Sequence, residues 1–434
     1  PAHKDDFASV LQDASRGDMS HSPIAASASF RAATSRSDIP FYAFEPASIA
    51  KNDYVELQLA NAARRRSAVQ MSGPRSEPAF GVGACASVQQ RYERRDRVGE
   101  GTYGVIYRAW DRQLQRVVAL KRLLPHNEAQ DGFPLTSLRE VSTLRLLRGH
   151  ANVVTFLDVA VGARRDAVFL SLEFAEHGDL GSLLDDRAIR KGRKRLFDTA
   201  QTKCLARQLL LALRHCHERY VCHRDVKVAN LLYTAEGRLK LCDFGLARII
   251  PSVDRQLTQN VVTLWYRAPE VLLRSPSYAH PIDCWAAGCV IAEIFRDGRP
   301  LAPGSTPQQQ WTKILDAIGA PSSDVWPGCT ELPGFDGSVA SLPLPVGSFA
   351  RASKLNVLVP DVSSNALDLL SGLLCYDPRR RDTASEALSS AWFDEAPRSA
   401  PLHSMPVFDV NETTGKKRAP PAKAPEASAK RRRA

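Results

Sequence analysis

The chain has 434 residues, with 58 Lys and Arg against 47 Asp and Glu, a formal charge of +11. Hydrophobic residues make up 44% and charged residues 24%, an ordinary globular balance that excludes a wholly disordered chain, a collagen-like fibre and a disulfide knot. No run approaches the roughly 18 apolar residues of a membrane-spanning helix, so no membrane partner is expected. The charge is unevenly placed. Residues 1–88 balance nine basic against nine acidic residues, residues 415–434 hold eight basic and one acidic, and Arg190-Lys191-Gly192-Arg193-Lys194-Arg195 is a short basic run. A near-neutral body with two basic patches argues against a direct nucleic-acid face and for short addresses or docking points. The nine cysteines form no C-x-x-C pair, which suggests neither zinc nor a disulfide framework and fits a reducing compartment. The N-terminus lacks a secretory apolar core, and its acidic residues argue against a transit peptide. The first residue is Pro1, which leaves open a removed initiator Met or a fragment.

In chain order, residues 1–88 carry 18 Ala and 13 Ser with little sustained pattern and read as a disordered extension. A short helix over Tyr54–Arg66 would be marginal in water. From Tyr92 a Gly-rich stretch leads to strand-like Val105–Ala109 and Arg116–Lys121. Ser137–Leu147 has helical spacing, and Val153–Asp158 and Ala167–Glu173 are β-rich. Beyond Leu180 the periodicity is helical over Ala200–His217, Asp283–Phe295, Gln308–Ile318, Ser364–Leu374 and Ser385–Ala391. The expected architecture is α+β and bilobal, a small β-rich lobe with one helix followed by a large helical lobe. After Phe393 the composition turns Pro-rich and then basic, so residues 394–434 read as an extended tail.

The chemistry lies in five motifs. Gly99-Glu100-Gly101-Thr102-Tyr103-Gly104 sits between strands, which fits a hairpin over phosphates better than a dinucleotide turn. Seventeen residues after Gly104, Lys121 can reach α- and β-phosphates, and Glu140 on the next helix can pair with it. In His223-Arg224-Asp225-Val226-Lys227-Val228-Ala229-Asn230, Asp225 can accept the proton of a substrate hydroxyl. Lys227 can neutralise a transferring phosphoryl group, and Asn230 can offer an oxygen to Mg²⁺. Asp243-Phe244-Gly245 follows thirteen residues after Asn230 and supplies a metal-binding carboxylate. Ala268-Pro269-Glu270 completes the order.

Across residues 92–393 the chain resembles a eukaryotic protein kinase of the cyclin-dependent branch. The motifs that carry this are Val262-Thr263-Leu264-Trp265-Tyr266-Arg267-Ala268-Pro269-Glu270 and the Gly-rich segment. Pro134-Leu135-Thr136-Ser137-Leu138-Arg139-Glu140 is similar to the PITSLRE type, with Leu for Ile. The resemblance implies the bilobal kinase fold, ATP and Mg²⁺ as cofactors, and a cyclin contacting the Pro134–Glu140 region. It implies nucleotide contacts at Val98, Gly99, Gly101, Gly104, Val105, Ile106, Ala119, Lys121, Glu173, Ala175 and Leu232. Of these, Val105, Ala119 and Leu232 would be apolar walls, and the backbone around Glu173-Phe174-Ala175 would hold the adenine.

The same resemblance places an activating phosphosite at Thr258, modified by another kinase, with Arg139, Arg224 and Arg248 as its basic partners. Thr102 and Tyr103 match inhibitory phosphosites. Val261, Val262 and Arg267 match the segment that favours Pro after the target Ser or Thr. Arg381 matches the structural partner of Glu270, and Asp283 the support of the catalytic loop. Val226 and Val228 depart from the usual Leu and Pro, and Gly178 looks like one extra residue after the hinge. Cys242, before the Asp-Phe-Gly motif, reads as an inert buried thiol. The Arg190–Arg195 run is a docking patch or a solvated loop.

Lys416-Lys417-Arg418 and Lys430-Arg431-Arg432-Arg433, eleven residues apart, resemble a bipartite nuclear signal read by an importin-type receptor. They imply the nucleus, with the cytoplasm open as a second location. The expected activity is phosphoryl transfer to Ser or Thr before Pro, in cell-cycle, transcription or splicing control. A cyclin-binding pseudokinase would lack Lys121, Asp225 or Asp243, all of which are present. A mitogen-activated-type kinase would want T-x-Y where the chain has Thr258-Gln259-Asn260.

Overall fold

Residues between 86 and 173 build one six-stranded sheet. The computed structural model describes residues 85–101, 104–123, 135–163, 167–186, 189, 195–250, 263–276, 278–321, 324–335 and 351–408, all within the unit Pro78–Ala434. The strands are β1 (Ala86–Ser87), β2 (Tyr92–Gly101), β3 (Gly104–Asp111), β4 (Arg116–Leu123), β5 (Phe156–Val161) and β6 (Val168–Glu173), in the order β1-β5-β6-β4-β3-β2. A helical turn, α1 (Val88–Arg91), precedes β2, and α2 (Leu135–Leu146) follows β4.

The expected strand at Val153–Asp158 begins three residues late, at Phe156. Val153 and Val154 are instead buried and bonded to Leu241 of the large lobe. The expected disordered extension over residues 1–88 is corrected at its last residues. Ala86 and Ser87 pair parallel with Ala160 and Val161, and Val88 is buried against the sheet.

The strand register decides which side chains face the cleft. Ile106 lies opposite Lys121 and Arg108 opposite Ala119, whereas Val105 lies opposite Arg122. Successive strand residues point to opposite faces, so Ile106 shares the face of Ala119 and Lys121. Val105 belongs to the face of Leu120, and its expected role as an apolar wall of the nucleotide site is corrected. Gly104 is required by the fold itself, because a Cβ there would lie 1.9 Å from the Arg122 carbonyl oxygen.

The large lobe is helical, as its periodicity indicates. It contains α3 (Leu180–Asp185), α4 (Thr199–His217), α5 (Pro269–Leu272), α6 (Pro281–Phe295), α7 (Pro307–Ile318), α8 (Arg351–Leu358), α9 (Ser364–Leu373) and α10 (Ala384–Leu388). Short strands not expected from the sequence punctuate it: β7 (Val221–Cys222), β8 (Leu231–Tyr233), β9 (Leu239–Leu241) and β10 (Arg248–Ile249). Asp198 opens α4 with a capping box to Gln201, which satisfies amides that the helix leaves unpaired.

Helix α6 is mostly apolar and buried along its length, with only Asp283 and Glu293 charged, as befits a helix central to a core. Beside it, Arg381 grips both Glu270 oxygens at 2.7 and 2.9 Å. It also donates to the carbonyls of Cys375, Pro281 and Tyr376. The expected extended tail is corrected over residues 394–408, where Met405 and Phe408 are buried in the large lobe.

Candidate active site

Three segments converge on the cleft: β4 with α2, the loop between β7 and β8, and the turn after β9. Strand β4 carries Lys121, whose Nζ donates to Glu140 Oε1 at 2.6 Å and Asp243 Oδ1 at 3.2 Å. Both Lys121 and Glu140 are buried. Burial opposes the charge on Lys121, but the two carboxylates outweigh it and hold its pKa above the ordinary lysine value. For Asp243 burial works the other way and Lys121 prevails, so its carboxyl stays below the usual range. Asp243 itself has φ 65° and ψ 70°, a left-handed conformation that costs a non-glycine residue about 1 kcal/mol. That conformation turns its carboxylate toward β4.

Below it, Asp225 accepts hydrogen bonds from Lys227 Nζ at 2.7 Å and Asn230 Nδ2 at 2.9 Å. Asn230 Nδ2 also reaches the Asp225 carbonyl at 2.7 Å. The amide nitrogen is thus committed to the loop, which leaves the amide oxygen as a ligand. Burial raises the Asp225 pKa, and Lys227 only partly offsets this. One carboxylate and one amide oxygen form a sparse, hard donor set that fits Mg²⁺, which retains waters and phosphate oxygens. Among the described residues no cluster of three His, Cys, Asp or Glu could form an all-protein cage.

The loop is fixed from beneath. Asp283 accepts the backbone N–H groups of His223 at 2.7 Å and Arg224 at 2.8 Å, and lies 3.1 Å from His217 Nε2. Burial alone would raise the Asp283 pKa, but these partners bring it to about 2. The His217 ring lies tilted against that of His280, 4.6 Å between centres. His223 ties the loop to the next motif, with Nε2 3.0 Å from the Cys242 carbonyl oxygen and its ring 4.7 Å from that of Phe244. Sequence reasoning missed His217. It sits at the end of an amphipathic helix, and only its placement just ahead of the catalytic loop could have marked it.

Ala119 and Ile106 share the face of Lys121 on the sheet. Leu232 is partly exposed between the fully buried Leu231 and Tyr233. The Glu173 side chain is taken by Lys240 Nζ at 2.7 Å and the Thr155 N–H at 2.6 Å, so only its backbone can meet a ligand. Gly178, at φ +70°, closes the hinge turn with its N–H on the Ala175 carbonyl at 3.2 Å. Val98 is exposed and Gly99 has no neighbour that a Cβ would meet. The Cys242 thiol is raised by burial, as expected of an inert group.

Arg139 and Arg224 lie close enough that, with burial, Arg224 lowers the Arg139 pKa. Arg224 has φ 70° and donates to Tyr278 Oη at 2.6 Å and the Leu246 carbonyl at 3.1 Å. Arg248 donates to the Ala247 carbonyl and lies near enough to lower the Tyr278 pKa slightly against its burial. Thr258, Thr102, Tyr103, Val261, Val262, Pro134, most of the Arg190–Arg195 run, the Tyr54–Arg66 segment and both basic tail clusters lie outside the described residues.

A protein kinase domain model matches residues 92–393. The chain belongs to the protein kinase family. Its relatives place it in the cyclin-dependent branch. It is 41% identical over 344 residues to serine/threonine-protein kinase PITSLRE of Drosophila melanogaster, covering 78% of this chain and 35% of that protein. It is 40% identical over 349 residues to human cyclin-dependent kinase 10, covering 80% of this chain and 90% of that protein. The chain therefore spans about a third of one relative and nearly all of the other. A chain in the structure of the CAK complex of Chaetomium thermophilum bound to ATP-gamma-S aligns with a TM-score of 0.65 and 33% identity. That alignment covers 74% of this kinase and 96% of that chain.

Proposed function

We propose that this kinase is a cyclin-dependent catalytic subunit that transfers the γ-phosphoryl group of ATP to Ser or Thr hydroxyls, preferentially before Pro. The observation that carries this reading is the completed constellation: Lys121 held between Glu140 and Asp243, facing an Asp225 already engaged by Lys227 and Asn230. Asp225 orients the attacking hydroxyl and takes its proton as the new oxygen–phosphorus bond forms. The bond to the β-phosphate oxygen breaks and ADP leaves. Lys121 holds the phosphates, and Lys227 offsets charge on the group in transit. Asn230 and Asp243 would hold Mg²⁺, which supplies further charge neutralisation on the phosphates. Positioning and electrostatics account for the catalysis, with no covalent enzyme intermediate.

A cyclin on the α2 side, with phosphate on Thr258 from another kinase, stabilises this arrangement. The closeness of Arg139 to Arg224 supports the second element, because two guanidinium groups repel until an anion joins them. The paired basic clusters of the tail direct the chain to the nucleus through an importin-type receptor, and the role there is in cell-cycle, transcription or splicing control.

The test is purification with candidate cyclins, followed by transfer to Ser-Pro and Ser-Ala peptides. Asp225→Asn should abolish transfer and leave cyclin binding intact. Equal rates on both peptides would remove the preference for Pro. Activity without cyclin that survives Thr258→Ala would remove the activation scheme.

A further inference from the structure

The stretch that matches the kinase domain ends at residue 393, yet residues 394–408 still pack on the large lobe. Its first anchor is Lys203 of α4, a fully buried lysine. Its Nζ donates to the carbonyls of Glu395 and Pro397, each at 2.9 Å, and lies 5.3 Å from the centre of the Trp392 ring. Further along, the Ala400 N–H donates to the Ala200 carbonyl at 2.9 Å. Met405 then fills the space over Gly237, where a Cβ would come within 2.3 Å of it. The segment ends with the Pro406 carbonyl accepting from Tyr233 Oη at 2.8 Å, and with Phe408 buried.

The seat of Phe408 is built from the nucleotide site's own supports. Its ring lies 5.6 Å from His177, 5.9 Å from Tyr233 and 6.1 Å from Phe197. His177 belongs to the hinge, two residues past Ala175, and Tyr233 follows Leu232 directly. The two are joined by paired backbone bonds, His177 N–H to the Tyr233 carbonyl at 3.2 Å and Tyr233 N–H to the Gly178 carbonyl at 2.9 Å. His177 is buried, and neither ring nitrogen has a hydrogen-bond partner among the described residues. Such an arrangement costs stability, so the imidazole serves here as a wall for an aromatic neighbour. Phe408 is thus one side chain away from the adenine floor and from the hinge backbone at once.

We infer that the 394–408 segment is a positioning device for the nucleotide. Phe408, seated behind the hinge, fixes Leu232 and the Ala175 backbone relative to each other and so sets the affinity for ATP. Phe408 touches no substrate; it acts through His177 and Tyr233. The inference rests on the nucleotide site described above.

The experiment measures binding of Mg-ATPγS to the full chain by calorimetry, together with the melting temperature. Wild-type protein that binds no nucleotide would sink the nucleotide reading itself. If wild type binds, Phe408→Ala should weaken binding at least fivefold, and Phe408→Leu, which keeps the seat filled, should bind within twofold of wild type. Leu369→Ala, in the core of α9, should lower the melting temperature comparably and leave binding within twofold. Unchanged binding by Phe408→Ala, or equal weakening by Leu369→Ala, overturns the inference. Should Phe408→Ala fail to fold, Tyr233→Phe removes only the hydroxyl that holds Pro406. It should weaken binding two- to threefold, and wild-type binding by that variant overturns the inference as well.

Discussion

Each lobe has a buried ion pair of nearly equal length, and the two pairs serve opposite ends. In the large lobe, Arg381 meets Glu270 with two parallel bonds and spends its remaining donors on three backbone carbonyls. Nothing is left for a ligand. In the small lobe, Lys121 meets Glu140 at 2.6 Å but is shared with Asp243 across the cleft. An ammonium has three donors and no fixed fork, so Lys121 can exchange a partner for a phosphate oxygen. The saturated pair is a fastening; the shared pair is a site. Length and burial do not separate them, but the number of donors committed does.

The largest expected break is Lys121→Met. It should lower phosphoryl transfer at least a thousandfold, about 4 kcal/mol in the transition state, read as kcat/KM for ATP. Adding Glu140→Leu should restore stability but not rate; recovery of rate would show that the pair is only a fastening after all. Next is Arg381→Met, which leaves Glu270 charged and alone. Urea unfolding should show a loss of about 3 kcal/mol, with kcat per folded molecule close to wild type. The double change Arg381→Met with Glu270→Leu should regain most of that stability. A fall in kcat that the double change does not repair would assign the large-lobe pair a catalytic part.

A smaller effect concerns the support beneath the catalytic loop. The folded-state pKa of Asp283, about 2, lies below the ordinary aspartate value. Its carboxylate therefore contributes full stability above about pH 4, and the contribution fades as pH falls toward 2. The contribution is on the order of 2 kcal/mol. The stability gap between wild type and Asp283→Asn should narrow across that window; a gap constant with pH would contradict the assigned shift. The smallest change is Tyr278→Phe, which removes the acceptor of Arg224 Nη2. It should cost no more than about 1 kcal/mol. It should reduce activity a few fold, measured with and without phosphate on Thr258, and an unaltered rate in both states would show that the hydroxyl does not position Arg224.

The candidate catalytic groups could be picked out of the sequence because the proposed chemistry demands particular residue types at fixed separations. Lys121, Glu140, Asp225, Lys227, Asn230 and Asp243 all meet where that logic places them. Facing was not legible. Val105 and Ile106 are adjacent apolar residues, and only the pairing of β3 with β4 shows that Ile106 faces the cleft. His217 was hidden because a histidine at a helix end has many ordinary uses. The packed segment 394–408 was hidden because its Pro-rich composition carries no periodicity. Its two buried anchors, Met405 and Phe408, are isolated apolar residues whose partners lie some 170 and 230 positions earlier in the chain.

The hold of Asp283 on the His223 and Arg224 amides has a consequence in time as well as in space. Both N–H groups end on a buried carboxylate at the start of the most enclosed helix. They can exchange their hydrogens with solvent only when the large lobe itself opens. The Lys121–Glu140 pair, carried on the small lobe, has no such restraint. In hydrogen exchange, an activating signal should therefore change the protection of α2 and leave the amides of His223 and Arg224 among the slowest in the chain.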